Sequence, residues 1–345
     1  MSFGALVMDF GQRRSSEGSQ RRQQRWRRAP EHFTAYQSAP DMVEIEANPS
    51  IGVNDYLAAS LRKQWKRYRK KLKSCQREFS QSAVHESRVE TRRLISIVDL
   101  LRSFLADGPV KKARRILKRH LDRFDELRDT HVQLLSLAKM LRIFPVLQPF
   151  HAALEERERR VVKSTARKIK RIKAARLARF VEALAKALEA APKPGARRRA
   201  GPTRLLQAVN RAFTRVVELR RSIDPRDTAT IHRTRVAFKN FRYMLEALSP
   251  LFPGVSARQF QAMKEHQSMM GDIQDNEVLL ASFAEFRRKG SISPDCAGRF
   301  EEELLRRRRW LIGAYLQNAD QLREFWPSSH RPRKAARQAT RRKAA

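Results

Sequence analysis

The sequence predicts an all-α protein built as two four-helix bundles related by an internal duplication. Apolar residues recur at helical spacing between segments rich in Pro and Gly, and no stretch alternates apolar and polar residues as a half-buried strand would. A short motif that begins with His also occurs once in each half of the chain. Short connections between consecutive helices favour antiparallel neighbours, as in helical bundles.

Four helices are predicted in the first half, over residues 53–79, 82–106, 110–141 and 148–190. The first has Asn54 as its N-cap and a helical apolar pattern: Tyr56, Leu57, Leu61, Trp65, Tyr68 and Leu72. Asp107-Gly108-Pro109 ends the second helix, and Pro145 follows the third. The fourth is unusually long and basic.

A Pro- and Gly-rich linker, residues 191–202, is predicted to separate repeat one, 51–190, from repeat two, 203–327. The second half repeats the plan, with helices over 203–223, 228–251, 256–288 and 294–325. Residues 1–50 are Arg-rich without periodicity, and residues 328–345 form a basic tail. Both segments are predicted to be disordered, so the helical domain is predicted to span 51–327.

The charge of the chain points to a polyanionic partner. Lys and Arg number 74 against 36 acidic residues, for a net charge of +38. Residues 1–48 contribute +1 and residues 328–345 contribute +7, so +30 belongs to the predicted helical part. A folded surface this positive attracts nucleic acid, acidic membranes or polyphosphate.

Cysteine content and hydropathy favour the cytoplasm. Two cysteines are too few for a disulfide framework and fit a reducing compartment. No apolar run approaches the roughly 18 residues of a membrane span, and the apolar run near the N-terminus is too short for a secretory signal.

Two matching stretches carry the candidate site. The first reads His-x-x-Arg-Val-x-x-Arg-Arg from His85, and the second reads His-x-x-Arg-Val-x-x-Lys-x-x-Arg-Tyr from His232. On a helix each residue advances by about 100°, so the His, the Arg at +3 and the base at +7 share one narrow face. Apolar residues point elsewhere, towards a core: Leu94, Ile97, Val98, Phe241 and Leu245. A basic stripe on a helix with a full apolar face indicates an anion site.

The match extends beyond these stretches. Asp129 lies 44 residues after His85, and Asp275 lies 43 residues after His232. Eleven residues before each Asp stands a lysine, Lys118 or Lys264, and nine residues before it stands a histidine, His120 or His266. Four matched positions in the same order indicate an internal duplication.

These paired motifs resemble those of the conserved histidine α-helical domain (CHAD) family, over residues 53–326. The resemblance implies two four-helix bundles about a pseudo-twofold axis, with basic helix faces lining a central cleft or pore that binds inorganic polyphosphate. It also implies association with polyphosphate granules. Asn240 stands where the first repeat has Arg93, and Gln274 stands where it has Arg128, which leaves open whether the two halves bind equally.

Arginine and lysine suit such a polymer. The planar guanidinium donates two parallel hydrogen bonds to phosphate oxygens, and lysine supplies a compact charge. The main candidates are His85, Arg88, Arg92, Arg93, His232, Arg235, Lys239 and Arg242. Lys118 and Lys264 come next, and weaker candidates are Arg62, Lys66, Arg69, Arg167, Lys170 and Arg171. For any single arginine the alternative is a solvated helix face or a surface ion pair.

Catalysis and metal binding are not expected. Neither His85 nor His232 has a second ligand at close helical spacing or a Ser or Cys partner, and each could instead be a buried histidine that holds helix packing. Asp129 and Asp275 could suggest Mg²⁺, but the sequence has no Walker or Gly-rich phosphate loop. They are interpreted as structural partners that orient bases. No cofactor is expected.

The rival hypothesis is non-specific binding of DNA or RNA by charge alone. Aromatic residues make up only 8% of the chain, few for stacking bases, and no zinc-finger or RNA-recognition pattern is present. A scaffold at an acidic membrane surface ranks last, because the long basic helix has no interfacial Trp. Polyphosphate binding without chemistry is therefore the leading hypothesis.

Overall fold

The computed structural model describes residues 52–191, 200–290 and 292–326, and these are helical with no strand. The predicted all-α fold is confirmed. The predictions for residues 1–50, for most of the linker and for residues 328–345 fall outside the described residues.

Six α-helices precede the linker region and four follow it. The first six are α1 (Val53–Arg77), α2 (Gln81–Leu101), α3 (Asp107–Asp122), α4 (Asp125–Met140), α5 (Gln148–Lys170) and α6 (Ala175–Ala190). The others are α7 (Ala200–Arg221), α8 (Thr228–Leu248), α9 (Ala257–Arg287) and α10 (Pro294–Asn318). Short 3₁₀ turns cover Pro145–Leu147, Ser249–Leu251 and Ala319–Phe325.

Both helices that carry the His motif begin at a side-chain cap. The Ser80 hydroxyl accepts a hydrogen bond from the Ala83 N–H at the start of α2, at 3.2 Å. The Asp227 carboxylate accepts one from the Ala229 N–H at the start of α8, at 3.0 Å. These caps satisfy orphan backbone donors and so fix where each motif helix starts. The N-cap predicted for α1 is wrong: Asn54 lies within the helix, and Gly52, two residues earlier, is the N-cap.

The predicted third helix, 110–141, is two helices in the structure. Phe124 is buried at the junction of α3 and α4, and its N–H bonds back to the Leu121 carbonyl at 3.0 Å in a tighter turn. After this turn α4 packs against α5 and α9, whereas α3 packs against α2 and α6. No Pro or Gly marks the break, so the sequence contained no signal for it.

The predicted fourth helix, 148–190, is also two helices. Carbonyls that become free at the end of α5 accept hydrogen bonds from other helices. The Gln76 amide of α1 donates to the Ile169 carbonyl at 3.0 Å and to the Ile172 carbonyl at 3.3 Å. The Arg123 guanidinium donates to the Lys168 carbonyl at 3.0 Å. The first half therefore holds six helices rather than the predicted four.

Two hydrophobic cores hold these helices together. The larger core contains side chains from α1, α2, α3, α6, α7 and α8 and from parts of α9 and α10. It includes the five residues predicted to point inward: Leu94, Ile97, Val98, Phe241 and Leu245. The smaller core joins α4 and α5 to the second half of α9 and the first half of α10, with Phe150, Phe283 and Phe300 at its centre. The two halves of the chain are thus packed into each other.

This packing places α2 directly against α8, and α4 against α9. The two His motifs therefore face each other. Among the described residues, no helix is long and apolar enough to cross a membrane.

Candidate functional site

The basic faces of α2 and α8 meet in one group of side chains, here called the cation cluster: Arg88, Arg92 and Arg93 of α2, with Arg235, Lys239 and Arg242 of α8. Arg88 and Arg242 are each only 8% exposed, and the other four are partly buried. Lys239 interacts electrostatically with Arg88, Arg92, Arg235 and Arg242, so the bases from both helices occupy one site.

Tyr243 lies within this cluster and is 5% exposed. Its ring centroid is 4.5 Å from the Arg242 guanidinium, 5.8 Å from the Arg93 guanidinium and 6.0 Å from the Lys239 ammonium. The negative face of an aromatic ring attracts cations, by about 2 kcal/mol where water is excluded. The tyrosine thus keeps three cations close together without adding a negative charge.

Carboxylates hold the outer members of the cluster. Asp125 of α4 accepts a hydrogen bond from Arg88 at 2.8 Å. Glu246 of α8 pairs with Arg242 on its own helix and lies 3.6 Å from Arg93 across the interface. Arg93 also pairs with Glu90 at 2.8 Å. These contacts fix the directions of three guanidinium groups in advance.

The inner members have no such counter-charge. In the part of the chain that the structure describes, neither Arg92 nor Lys239 has an acidic group within 4.0 Å. Burial, followed by repulsion from Arg88, lowers the pKa of Arg92 to about 10. Burial, followed by repulsion from Arg92 and Arg235, lowers the pKa of Lys239 to about 6. Like charges gathered without a partner are costly to desolvate, and an anion bound between them would offset that cost.

The Arg235 side chain packs against Gly271 of α9, which has no side chain of its own to fill the space. A methyl group at Gly271 of α9 would lie 3.4 Å from the Arg235 guanidinium, which is tight contact. The buried Nε–H of Arg235 has no hydrogen-bond partner among the described residues. Burial lowers the pKa of Arg235, although Asp275 opposes the shift. Arg235 therefore offers an unused donor to a ligand.

The two aspartates of the repeated motif lie beside the cluster. Asp275 is 3.7 Å from Arg128, which joins α9 to α4 across the halves of the chain. Burial raises the pKa of Asp129 and of Asp275. Arg128, Asp125, Glu246 and Tyr243 were not among the predicted site residues. Arg128 had a signal, since it precedes Asp129 in the repeated motif. Tyr243 and Glu246 also had one, since Tyr243 ends the second motif and Glu246 lies four residues after Arg242 on the same helix. Asp125 alone of the four reaches the cluster from another helix without a sequence signal.

The two motif histidines flank the cluster. Burial, followed by the nearby Arg128 and Lys239, lowers the pKa of His85, which is exposed at the edge. Burial and Arg235 lower the pKa of His232, whose Nδ1 has no hydrogen-bond partner in the described chain. Both imidazoles are therefore neutral at pH 7 in the free protein. No group of three or more His, Cys, Asp or Glu among the described residues could hold a metal ion.

The other two matched histidines belong to the core. His120 is buried, with its Nδ1 2.7 Å from the Tyr68 hydroxyl. His266 is 2% exposed among Phe238, Tyr315 and Phe325. Burial lowers the pKa of each to about 4. The matched spacing of these histidines reflects helix packing.

The remaining predicted bases lie outside the cluster. Lys118 is exposed and pairs with Asp122 at 2.7 Å. Arg62 pairs with Glu182 at 2.8 Å and with Glu189 on α6. The others are exposed: Lys66 and Arg69 on α1, Lys264 on α9, and Arg167, Lys170 and Arg171 at the end of α5. Within the described chain no hydrogen bond, ion pair or ring contact joins any of these to the cluster, and their part in binding stays a prediction.

Comparisons with known proteins agree with this architecture. No curated protein sequence matches the chain. The crystal structure of the CHAD domain from the plant Ricinus communis is similar at 18% identity and a TM-score of 0.58, covering 85% of this chain and 96% of that one. PptA from Streptomyces chartreusis is similar at 17% identity and a TM-score of 0.61, covering 77% and 99%. The family model of the CHAD domain matches residues 57–284, and the chain belongs to the CHAD domain family.

Proposed function

We propose that this protein binds inorganic polyphosphate at the cation cluster, performs no chemistry on it, and is associated with polyphosphate granules in the cytoplasm, as the family resemblance implies. The observation that carries the proposal is the pair Arg92 and Lys239, two partly buried bases without an acidic partner among the described residues. A linear phosphate polymer supplies closely spaced oxygens that can accept from both helices at once.

The charge balance of the site supports a ligand rather than a structural role. A buried ion pair that serves only packing brings equal charges together, since an uncompensated charge is costly. Here six bases meet few acids, and those acids hold the outer guanidinium groups. An anion bound between Arg92 and Lys239 would supply the negative charge that the cluster lacks.

The same geometry favours polyphosphate over nucleic acid. Single-stranded nucleic acid gains about 1–3 kcal/mol per base by stacking on aromatic side chains. Tyr243 is the aromatic residue of the cluster, and it is 5% exposed and covered by cations, so a base cannot stack on it. A polymer without bases can approach the partly buried bases between α2 and α8.

The carboxylates that hold the cluster are engaged in ion pairs, which fits a site that binds polyphosphate without reacting with it. Asp125 and Glu246 are engaged with arginines. Phosphoryl transfer instead uses carboxylates that hold Mg²⁺ or accept a proton from the nucleophile. Incubation with long-chain polyphosphate and Mg²⁺ should therefore release no orthophosphate and leave chain length unchanged. Shortened chains would contradict this part of the proposal.

A competition titration tests the ligand. Labelled long-chain polyphosphate is bound at near-physiological salt and challenged with matched phosphate equivalents of double-stranded DNA and of RNA, because electrostatic affinity falls steeply with salt. Failure of nucleic acid to displace the label is the expected result. Free displacement by DNA would make the protein a general polyanion-binding protein.

A double substitution tests the site. Arg88→Ala with Arg235→Ala removes one base of the cation cluster from each motif helix, and each charged hydrogen bond lost costs about 1.5–3 kcal/mol. We expect affinity for polyphosphate to fall at least about 100-fold, with helicity unchanged by circular dichroism. The control is Arg115→Ala with Arg309→Ala, which changes net charge equally at exposed positions on α3 and α10. Equal losses in both variants would indicate binding by bulk charge.

A further inference from the structure

The position seven residues after the motif histidine differs between the two halves, as Arg92 in α2 and Lys239 in α8. The two side chains interact electrostatically across the helix interface. Arginine stays protonated in proteins, whereas lysine loses its proton readily when it is buried. Of the six bases in the cation cluster, Lys239 is therefore the one that can change charge near neutral pH.

Every element packed around Lys239 presents charge or polarity to it. α2 contributes Arg88, Arg92 and His85, and α8 itself contributes Arg235, Arg242 and Tyr243. α9 contributes the acidic Asp275, which interacts with Lys239 and is in turn opposed by Arg128 of α4. Asp272, also on α9, acts on the neighbouring Arg235 and Asp275. Bases thus outnumber acids around Lys239, and its Nζ lies 6.0 Å from the centroid of the Tyr243 ring.

We infer that polyphosphate binds to the cation cluster together with one proton, which Lys239 takes up, so that affinity falls as pH rises through neutrality. The inference rests on the proposed function, whose ligand supplies the negative charge.

The groups around Lys239 determine the direction in which binding depends on pH. In the free protein, burial and four neighbouring arginines lower the pKa of Lys239 to about 6, so the amine is mostly neutral at pH 7. Phosphate oxygens between Lys239 and Arg92 replace repulsion with attraction, which favours the charged ammonium and raises its pKa. Between the free and bound pKa values, binding must therefore take a proton from solution. Below pH 6 the ammonium is already charged and the coupling disappears.

A lysine at position 239 also explains how the protein can fold when no anion is bound at the cation cluster. Five arginines stay charged in the free protein, and a sixth permanent charge at position 239 would add repulsion that no ligand yet offsets. A lysine that releases its proton avoids this cost. When the polymer arrives, the sixth charge is restored where it contacts phosphate.

Isothermal titration calorimetry measures the coupling directly. Long-chain polyphosphate is titrated into the full-length protein at pH 7.0 and constant salt, in buffers of different ionisation enthalpy. Long chains are used because their end groups, which titrate near neutrality, are few. The dependence of the observed enthalpy on the buffer gives the protons taken up. We expect uptake approaching one proton per cluster and an affinity that falls up to about tenfold per pH unit between pH 7 and 8.5.

Lys239→Arg assigns the proton, because the arginine keeps its charge over this range. We expect this variant to bind at pH 7 with proton uptake reduced by about one and a flatter pH profile. Lys186→Arg, at an exposed position on α6, is the matched control and should behave as the wild type. His85→Gln with His232→Gln tests the two other titratable groups and should retain the uptake.

Three results would overturn the inference. Tight binding by the wild-type protein without proton uptake would do so even if no variant folded. Uptake unchanged in Lys239→Arg would assign the proton to another group, and uptake lost in the double histidine variant would assign it to the imidazoles. In each of these cases polyphosphate still binds, so the proposed function stands. Absence of binding at every pH contradicts the proposed function itself, and the inference then falls with it.

Discussion

At the scale of single residues, the site depends on bases that are held close together and on small features that make room for them. Six of the predicted bases lie together in the structure, since helical periodicity puts a residue at +3 and one at +7 on the same face. Their part in binding stays a prediction. The sequence pattern does not show how much room a basic side chain has in the fold. Gly271 is the clearest example, because it lies 36 residues from Arg235 along the chain and touches it in the fold.

Gly271→Ala should weaken polyphosphate binding without unfolding the protein. The added methyl group would lie 3.4 Å from the Arg235 Nη2 and 3.5 Å from its Nε, at the near limit of van der Waals contact, so this guanidinium loses the room it has on the side of α9. Alanine is a better helix former than glycine by about 1 kcal/mol, so secondary structure should not suffer. We expect affinity to fall about three- to tenfold in the competition titration, because a shifted guanidinium loses part of one charged hydrogen bond.

Gly313→Ala is the matched control. It makes the same change inside α10, where a methyl group would meet nothing within 4 Å. This variant should be slightly more stable, and its affinity should equal that of the wild type. If Gly271→Ala also bound normally, the contact with Arg235 would have no role in holding the ligand site.

The partners of the bases could not be predicted from the sequence, for a related reason. Asp125 pairs with Arg88 from 37 positions away, and Glu246 bridges α8 to Arg93 on α2. Such pairs depend on which helices pack together and on how far one helix is shifted along the axis of the other. Glu246 stands four residues after Arg242, a spacing that predicts their local pair, but its contact with Arg93 and that of Asp125 with Arg88 are selected by the tertiary fold.

At the scale of helices, breaks marked by Pro or Gly were predicted and breaks made by packing were not. Asp107-Gly108-Pro109 and Pro145 lie at helix boundaries that the structure contains. The two unpredicted breaks, at Phe124 and after Lys170, have neither residue. The break after Lys170 is capped by side chains from other parts of the fold. At Phe124 the backbone closes a local turn, and the burial of this side chain between the helices accompanies the break.

Gln76→Ala tests whether tertiary capping fixes the second of these breaks. Its amide donates to the carbonyls of Ile169 and Ile172, where α5 ends. Removing it loses both hydrogen bonds, although the Ile169 carbonyl keeps the one from the Ile172 N–H. A typical hydrogen bond contributes about 0.5–1.5 kcal/mol. We expect the free energy of unfolding, measured in urea, to fall by about 1–2 kcal/mol while polyphosphate affinity stays unchanged.

Gln207→Ala provides the comparison, because Gln207 is exposed in the middle of α7 and the change in helix propensity is the same. It should leave the unfolding free energy within about 0.5 kcal/mol of the wild type. Equal stability in both variants would mean that the hydrogen bonds of Gln76 contribute nothing net and that the break at the end of α5 has another cause.

At the scale of the whole molecule, the excess of positive charge opposes the fold that carries it. A net charge of +30 over residues 49–327 repels itself, and the cation cluster concentrates that repulsion between α2 and α8. The large core, shared by helices of both halves, holds the two motif helices together against it. Composition predicts the repulsion, and the polyanionic partner that it also predicts stays a prediction. The place where the charge is concentrated depends on the packing of α2 on α8, which composition does not reveal.

Polyphosphate should therefore stabilise the fold through the cation cluster rather than through general screening. Any ligand that binds only the folded state adds RT ln(1 + [L]/Kd), about 2.7 kcal/mol at a hundredfold excess over Kd, which corresponds to a rise in Tm of about 5–10 °C for a chain of this size. We expect this rise by differential scanning calorimetry at polymer concentrations that leave the ionic strength unchanged. Sodium chloride at equal ionic strength should shift Tm far less.

The Arg88→Ala, Arg235→Ala variant should lose most of the rise, while the Arg115→Ala, Arg309→Ala control should keep it. A rise of the same size in both variants would show that the polymer stabilises the fold by neutralising the surface as a whole, and would place its binding outside the cation cluster.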